Sequence, residues 1–258
     1  MDKSLIEGEE IAFKFYLDMF NDLPIKLDSS STILDFGCGL GGIVYFFRKK
    51  GFRAFGVDLQ KHYELAEQLC HQENLNDLEK IFHPIDMNNY KLPFADNTFD
   101  VVFSNHVFEH VHNFSESIEE IKRVLKPGGY SLHLFPSRYR PIESHVYIPL
   151  ASVFQGYKYL RFWTSLGMGN KFGQNLSPQE FAKFYADYLK RDTNYPPPAE
   201  VKKYFADSFG NVDYVENLLI KNSPGGLRHI KPLAKLFPLT RLIVRYFHEQ
   251  VIFVQKTV

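Results

Sequence analysis

The stretch Ile33-Leu34-Asp35-Phe36-Gly37-Cys38-Gly39-Leu40-Gly41-Gly42 decides the fold. Apolar residues run into an acid and then into four glycines within six positions. Ile43 to Lys50 follows as an amphipathic segment closed by Gly51. The pattern reads as a buried strand, a tight glycine turn and a helix. Glycine accepts positive φ and has no side chain, so such a turn lets backbone approach a ligand closely. The following helix points its unpaired N–H groups into the same place. A glycine turn alone fits a nucleotide site and a plain strand-to-helix connection equally.

The same rhythm continues downstream. Arg53–Asp58 and Lys80–Asp86 read as strands that each end in an acid, and Phe99–Asn105 reads as a buried fourth strand. Lys126–Gly129 is a sharp turn into a fifth strand, Tyr130–Phe135. Residues 5–20, 62–73 and 117–125 read as helices. Strands alternating with helices at this spacing predict an α/β fold with a parallel sheet. Beyond Pro136 the alternation stops, and residues 137–175 gather Tyr139, Tyr147, Phe154, Tyr157, Phe162 and Trp163. Ser177-Pro178-Gln179-Glu180 starts a helix, with serine capping and proline in the first turn. Val212–Ile220 and Glu249–Val254 read as late strands.

Composition narrows the function classes. With 45% apolar residues in 258, the chain supports a sizeable core. Its formal net charge is zero, so no basic excess points to nucleic acid. The two cysteines, Cys38 and Cys70, form no disulfide framework, and a reducing cytoplasm is expected. Met1-Asp2-Lys3-Ser4 lacks the basic-then-apolar signature of a signal peptide.

The acids carry the functional argument. In parallel sheets ligands bind at the carboxyl ends of strands. There the sequence puts the glycine turn, Asp58, Asp86 and Asn105, all facing one crevice. A carboxylate at Asp58 suits the two hydroxyls of a ribose. Asp86 suits the exocyclic amine of an adenine, and Asp35 could hold an ammonium. The crevice lacks a lysine, and Gly-Lys-Ser/Thr is absent from the turn, which disfavours a polyphosphate.

These residues resemble a class I S-adenosylmethionine-dependent methyltransferase of the type 11 family. The resemblance rests on Leu34–Gly41, on Gly56-Val57-Asp58, on Leu92–Val102, on Phe108-Glu109-His110-Val111 and on Arg123–Gly129. It implies a Rossmann-like, seven-stranded, mostly parallel sheet with helices on both faces and an inserted substrate cap. The implied layout is an N-terminal helix (1–29), a core (30–136 and 200–258) and a cap (137–199). For S-adenosylmethionine it implies contacts from Asp35, Gly37, Cys38, Gly39 and Gly41 to the methionine part. Asp58 with Leu59 would meet the ribose, Asp86 with Met87 the adenine edge, and Asn105 with His106 the middle of the cofactor.

Rival readings use the same residues. Gly37 to Gly42 also satisfies G-x-G-x-x-G, the fingerprint of an NAD(P)-binding oxidoreductase, but Asp35, Asp86 and the Pro127-Gly128-Gly129 turn favour the methyltransferase. His106-Val107-Phe108-Glu109-His110 matches the zinc-peptidase pattern H-x-x-E-H. It follows a buried strand directly and announces no third ligand, so no metal is expected. A non-catalytic cofactor-binding subunit is the remaining alternative, and the intact contact positions argue against it.

A hydroxyl acceptor needs a base, because its proton must leave as the methyl arrives. Glu143 and His145 follow the fifth strand and hence sit above the donor, and His110 is the fallback. Imidazole titrates near neutrality, which favours His145. The expected acceptor is a small molecule or saccharide, methylated on oxygen. From Lys221 through His248 there are six Lys/Arg and no acid, interleaved with apolar residues. Such a stretch can touch an anionic membrane surface or hold an acidic substrate, or it can be a helical cover with a solvated basic face.

Overall fold

The computed structural model describes residues 3–59, 64–72, 80–86, 90–169, 176–225, 227, 229, 232 and 239–257. Helix α1 (Lys3–Asp22) precedes β1 (Thr32–Phe36), the glycine turn and α2 (Gly42–Lys49). Then come β2 (Arg53–Asp58), α3 (Glu64–Gln72), β3 (Phe82–Pro84) and β4 (Phe99–Asn105). A short 3₁₀ turn (Phe108–His110) leads to α4 (Phe114–Val124) and β5 (Leu125–Pro136). The strands form one seven-stranded sheet in the order β3-β2-β1-β4-β5-β7-β6, where β6 is Asp213–Tyr214 and β7 is Glu249–Gln255. Pairs among β1 to β5 are parallel, while β7 runs antiparallel to both β5 and β6. The expected α/β architecture is therefore what the chain adopts.

Strand alternation divides the core. On one face Ile33, Val101, Phe103, Leu132 and Val251 pack with Phe13, Tyr16 and Phe20 of α1 and with Val44 and Phe47 of α2. On the other, Leu34, Val102, Phe135 and Ile252 pack with Phe114, Ile118 and Ile121 of α4 and with Val201 and Phe205 of α7 (Pro198–Phe209). Successive residues of each central strand are buried on opposite faces, as a sheet covered on both sides requires.

A third cluster lies apart. Val146, Ile148 and Ala151 pack with Leu160 of α5 (Tyr157–Ser165) and with Phe181, Tyr185 and Leu189 of α6 (Pro178–Asp192). Ser177 caps α6: its hydroxyl accepts the Glu180 N–H while the Glu180 carboxylate accepts the Ser177 N–H. The serine cap and the first-turn proline are as read from the sequence, and the return bond from Glu180 is what the structure adds.

Two sequence expectations change. Val212–Ile220 is not one strand: only Asp213–Tyr214 pairs with β7, and Glu216–Asn222 forms α8. A short apolar run such as Leu218-Leu219-Ile220 is ambiguous by periodicity. Here Glu216 is fully buried and held bidentately by Arg245 at 2.9 Å, a geometry the helix supplies. Lys126–Gly129 is likewise no separate turn but part of β5, where the register against β4 shifts between Phe99 and Val101 and Gly128 takes φ +80°. Helix α9 (Leu239–Phe247) closes the chain before β7. Of the basic stretch expected to cover the sheet, Arg228, Lys231 and Lys235 lie outside the described residues. Among the rest, Lys221 pairs with Asp22 and Arg245 with Glu216. No helix of the described residues is long and apolar enough to cross a membrane.

Candidate functional site

The glycine turn is set by what surrounds it. Gly37 sits at φ +84°, and a Cβ there would lie 2.2 Å from Val107 Cγ2, so any other residue is strained and displaces Val107. The Gly37 and Cys38 amides donate to the Val57 carbonyl at 2.8 and 2.9 Å, tying the turn to β2. Gly39, at φ +48°, has open space where a Cβ would be. Its amide donates to Asp58 Oδ2 at 2.8 Å, and the Leu59 amide donates to Oδ1 at 2.7 Å. Cys38 is buried and fills space in the turn, and burial pushes its thiol well above the ordinary range.

Helix α2 would offer free N–H groups to a phosphate, but its amino end is taken. The Glu9 carboxylate, reaching from α1, accepts the Ile43 N–H at 3.0 Å. Burial raises the Glu9 pKa, and the Ile43 amide opposes that shift. With Glu9 on the helix and Asp58 on Gly39, the loop presents carboxylates where a pyrophosphate would need amides. This geometry counts against the dinucleotide reading.

The turn opens on a cleft of about 370 Å³ lined by Phe36, Gly37, Gly39, Asp58, Leu59, Ile85, Tyr90, Asn105, His106, Val107, His110 and Val111. The structure thus brings together, at the carboxyl ends of β1, β2 and β4, most of the residues the acids and glycines pointed to. Asp35 lies behind them, only 2% exposed, and its Oδ1 has no hydrogen-bond partner. Burial pushes its carboxyl well above the usual range, and the charges of Glu9 and Asp58 push in the same direction. Asp86 is exposed one position past Ile85, and Met87 lies outside the described residues.

The H-x-x-E-H residues do not share a helical face. His106 takes a left-handed φ of +56°, and the 3₁₀ turn begins only at Phe108. The His106 ring stands between two carboxylates, Nδ1 3.6 Å from Glu109 Oε1 and Nε2 3.5 Å from Glu249 Oε1. Burial alone would lower its pKa, but the two acids outweigh burial and raise it. His110 turns instead to the Asp192 carbonyl, 2.6 Å from Nδ1. Among the described residues no group of three His, Cys, Asp or Glu is arranged to hold a metal.

Glu143 and His145 form a close unit. His145 Nδ1 is 2.6 Å from Glu143 Oε1, and the backbone amides of His145 and Val146 both donate to Oε2 at 2.8 Å. The Tyr195 hydroxyl donates to Glu143 Oε1 at 2.7 Å. Glu143 is 1% exposed; burial works to raise its pKa, yet the His145 ring and the other donors hold it below its ordinary value. An ionised Glu143 makes Nδ1 the protonated nitrogen of neutral His145 and puts the basic lone pair on Nε2. His145 does not line the cleft itself. It packs edge-on behind His110, with ring centroids 5.0 Å apart.

Several site residues escaped the sequence reading. Tyr16 is fully buried and directs its hydroxyl to the Ser104 carbonyl and Asn105 Oδ1, each at 3.1 Å. Glu9, Glu249 and Tyr195 come from distant segments, and no local motif announces them. Ile85 and Tyr90 flank the third acid and could have been found by their proximity to it.

Comparison with known proteins agrees with this geometry. Residues 34–132 match the family model of a methyltransferase domain. An uncharacterized methyltransferase of Schizosaccharomyces pombe is 38% identical over 112 residues, 39% of this chain and 38% of that protein. The malonyl-[acyl-carrier protein] O-methyltransferase of Buchnera aphidicola is 34% identical over 122 residues, 44% of this chain and 46% of the relative. The chain therefore spans less than half the length of these curated relatives. The fold extends further: Haemonchus contortus phosphoethanolamine N-methyltransferase 2, solved with S-adenosyl-L-methionine, superposes with TM-score 0.54 at 16% identity, over 95% of this chain and 52% of that one. Sheet order, glycine turn and acid positions all agree with the matched segment, and residues 34–132 are similar to the methyltransferase domain family.

Proposed function

We propose that the protein is an S-adenosylmethionine-dependent methyltransferase that methylates a small-molecule acceptor on oxygen. The observation that carries this reading is Asp35 Oδ1, buried and without a partner behind the glycine turn. A buried carboxylate left unpaired is costly, and a ligand ammonium satisfies it. The rest of the cleft suits the same ligand. Asp58 already accepts two amides, and its remaining lone pairs can take the ribose hydroxyls. Phe36, Leu59, Ile85 and Tyr90 give apolar walls for a flat base, and Asn105 and His106 line the same cleft. When bound, S-adenosylmethionine supplies a methyl group activated by the sulfonium.

The chain's own contribution is alignment and proton removal. Positioning by a rigid cleft supplies most of the effect, up to ~7–11 kcal/mol in well-oriented systems. His110 lines the cleft together with His106, and His145 packs against His110, held by Glu143 and Tyr195. This group takes the acceptor's proton as the new carbon–oxygen bond forms. Residues 137–199 act as the substrate cap over it. A saccharide acceptor would rest on the exposed rings of Tyr147, Phe154 and Phe162, whereas an apolar acceptor needs a cleft of its own. The relatives do not choose the atom, since one is named for oxygen and one for nitrogen. Incubating the protein with methyl-labelled S-adenosylmethionine and cell extract, followed by mass spectrometry, tests the reading. Label in a small-molecule product supports it, and label in none contradicts it.

A further inference from the structure

His106 and Asn105 line a second cleft besides the one described above. This cleft, of about 240 Å³, runs between α1 and α8. Its walls are apolar: Ile11, Ala12 and Phe15 of α1, Leu134 of β5 and Leu219 of α8. Polar side chains also line it: Ser223, and Glu249 beside His106 and its neighbour Asn105. A cleft with apolar walls and a few convergent polar groups is the usual form of a small-molecule site.

The surroundings of His106 have a definite character. Glu249 is 8% exposed and Glu109 2% exposed, and both face the His106 ring. Glu109 Oε2 has no hydrogen-bond partner. Arg140 Nη1 is 3.9 Å from Glu249 Oε1, and His248 Nδ1 is 3.8 Å from Oε2. Two buried carboxylates therefore bracket one imidazole at the place where the clefts meet. A ligand bringing its own carboxylate or phosphate there would set like charges beside Glu249 and Glu109, whereas a hydroxyl or amine can donate to them.

Resting on the methyltransferase reading, we propose that the α1–α8 cleft holds the body of the methyl acceptor, and that this acceptor is an elongated apolar molecule ending in a hydroxyl or amine. The apolar part lies along Ile11, Ala12 and Leu219. The polar end reaches past His106 into the donor cleft, where His110 stands on the wall. His106, with its left-handed backbone fixed by the hydrogen bond its amide donates to the Leu134 carbonyl at 2.8 Å, is a positioning residue between the two clefts.

The test uses the whole chain and a neutral apolar dye, Nile red, displaced by dodecanol, dodecylamine or dodecanoate. Saturable dye binding is expected, with the alcohol and amine displacing it about tenfold or more better than the acid. Ala12→Trp fills the cleft, and Ile11→Asp places a charge on a position already 46% exposed, so the second variant does not depend on repacking the core. Both should weaken dye binding by about fivefold or more while S-adenosylhomocysteine affinity, read by calorimetry, stays within about twofold. No saturable binding, unchanged binding in both variants, or equal competition by dodecanoate would overturn the proposal. Failure of the methyltransferase reading looks different: the wild type would then bind no S-adenosylhomocysteine while the dye results stand.

Discussion

Asp58 fastens the glycine turn to β2 through Gly39, accepting its amide on Oδ2 at 2.8 Å, while Oδ1 accepts the amide of Leu59 at 2.7 Å. One carboxylate thus shapes the loop and remains available to a ligand. The acid-and-glycine pattern acts as a unit, which is why the two features together were more informative than the glycines alone.

The glycines of the turn divide by role. Gly37→Ala should destabilise the fold by roughly 1–3 kcal/mol, because positive φ and a close approach to Val107 both oppose a methyl group. Gly39→Ala meets no neighbour and should cost about 1 kcal/mol of backbone strain. Urea unfolding of both variants checks this; equal losses would show that Val107 yields easily.

Asp35 sets a pH dependence. Its carboxyl is raised by burial, so the folded chain keeps this proton where the unfolded chain has lost it. Its contribution to stability is full below the ordinary carboxylate range and declines as pH rises toward the raised value. Asp35→Asn should remove that decline and stabilise the ligand-free protein at neutral pH, while weakening S-adenosylhomocysteine binding about tenfold or more. Thermal unfolding from pH 4 to 8, a range chosen to bracket ordinary carboxylates, reads the first effect. A variant with the wild-type pH slope would remove Asp35 as its source.

Much of this arrangement is readable in the sequence because it is local. Strand, turn, helix and terminal acid follow one another within about thirty residues, the length of a βαβ unit. What stayed hidden depends on contacts between distant segments: Tyr16 on Asn105, Glu249 on His106 and Tyr195 on Glu143. The misread stretch Val212–Ile220 has the same origin, since the Glu216–Arg245 pair that accompanies the helix spans 29 positions. For His106 and His110 a spacing rule failed because a left-handed residue precedes the turn.

Tyr16 joins α1 to the end of β4. Tyr16→Phe removes a buried hydroxyl that serves Ser104 and Asn105 and should cost about 1 kcal/mol. Denaturant unfolding measures this; no loss would mean that the bonds to β4 contribute nothing net.

Glu143 has a depressed pKa, with burial opposed and outweighed by His145 and the other donors. It therefore contributes stability that is present above its unfolded pKa and is lost as pH falls through the lower folded value. Glu143→Gln should flatten the acid limb of the stability curve. Once an acceptor is identified, Glu143→Gln and His145→Ala should each reduce turnover roughly a hundredfold if the pair handles the proton. Full single-turnover rates in both variants would shift the proton to His110 alone.

The most direct measurement is calorimetric titration of the wild type and Asp58→Ala with S-adenosylhomocysteine and with a nicotinamide dinucleotide. The account predicts that the wild type binds S-adenosylhomocysteine in preference, and that Asp58→Ala weakens it about tenfold or more, the loss of a charged acceptor being worth ~1.5–3 kcal/mol. Preferential binding of the dinucleotide, or unchanged S-adenosylhomocysteine affinity in Asp58→Ala, would contradict it.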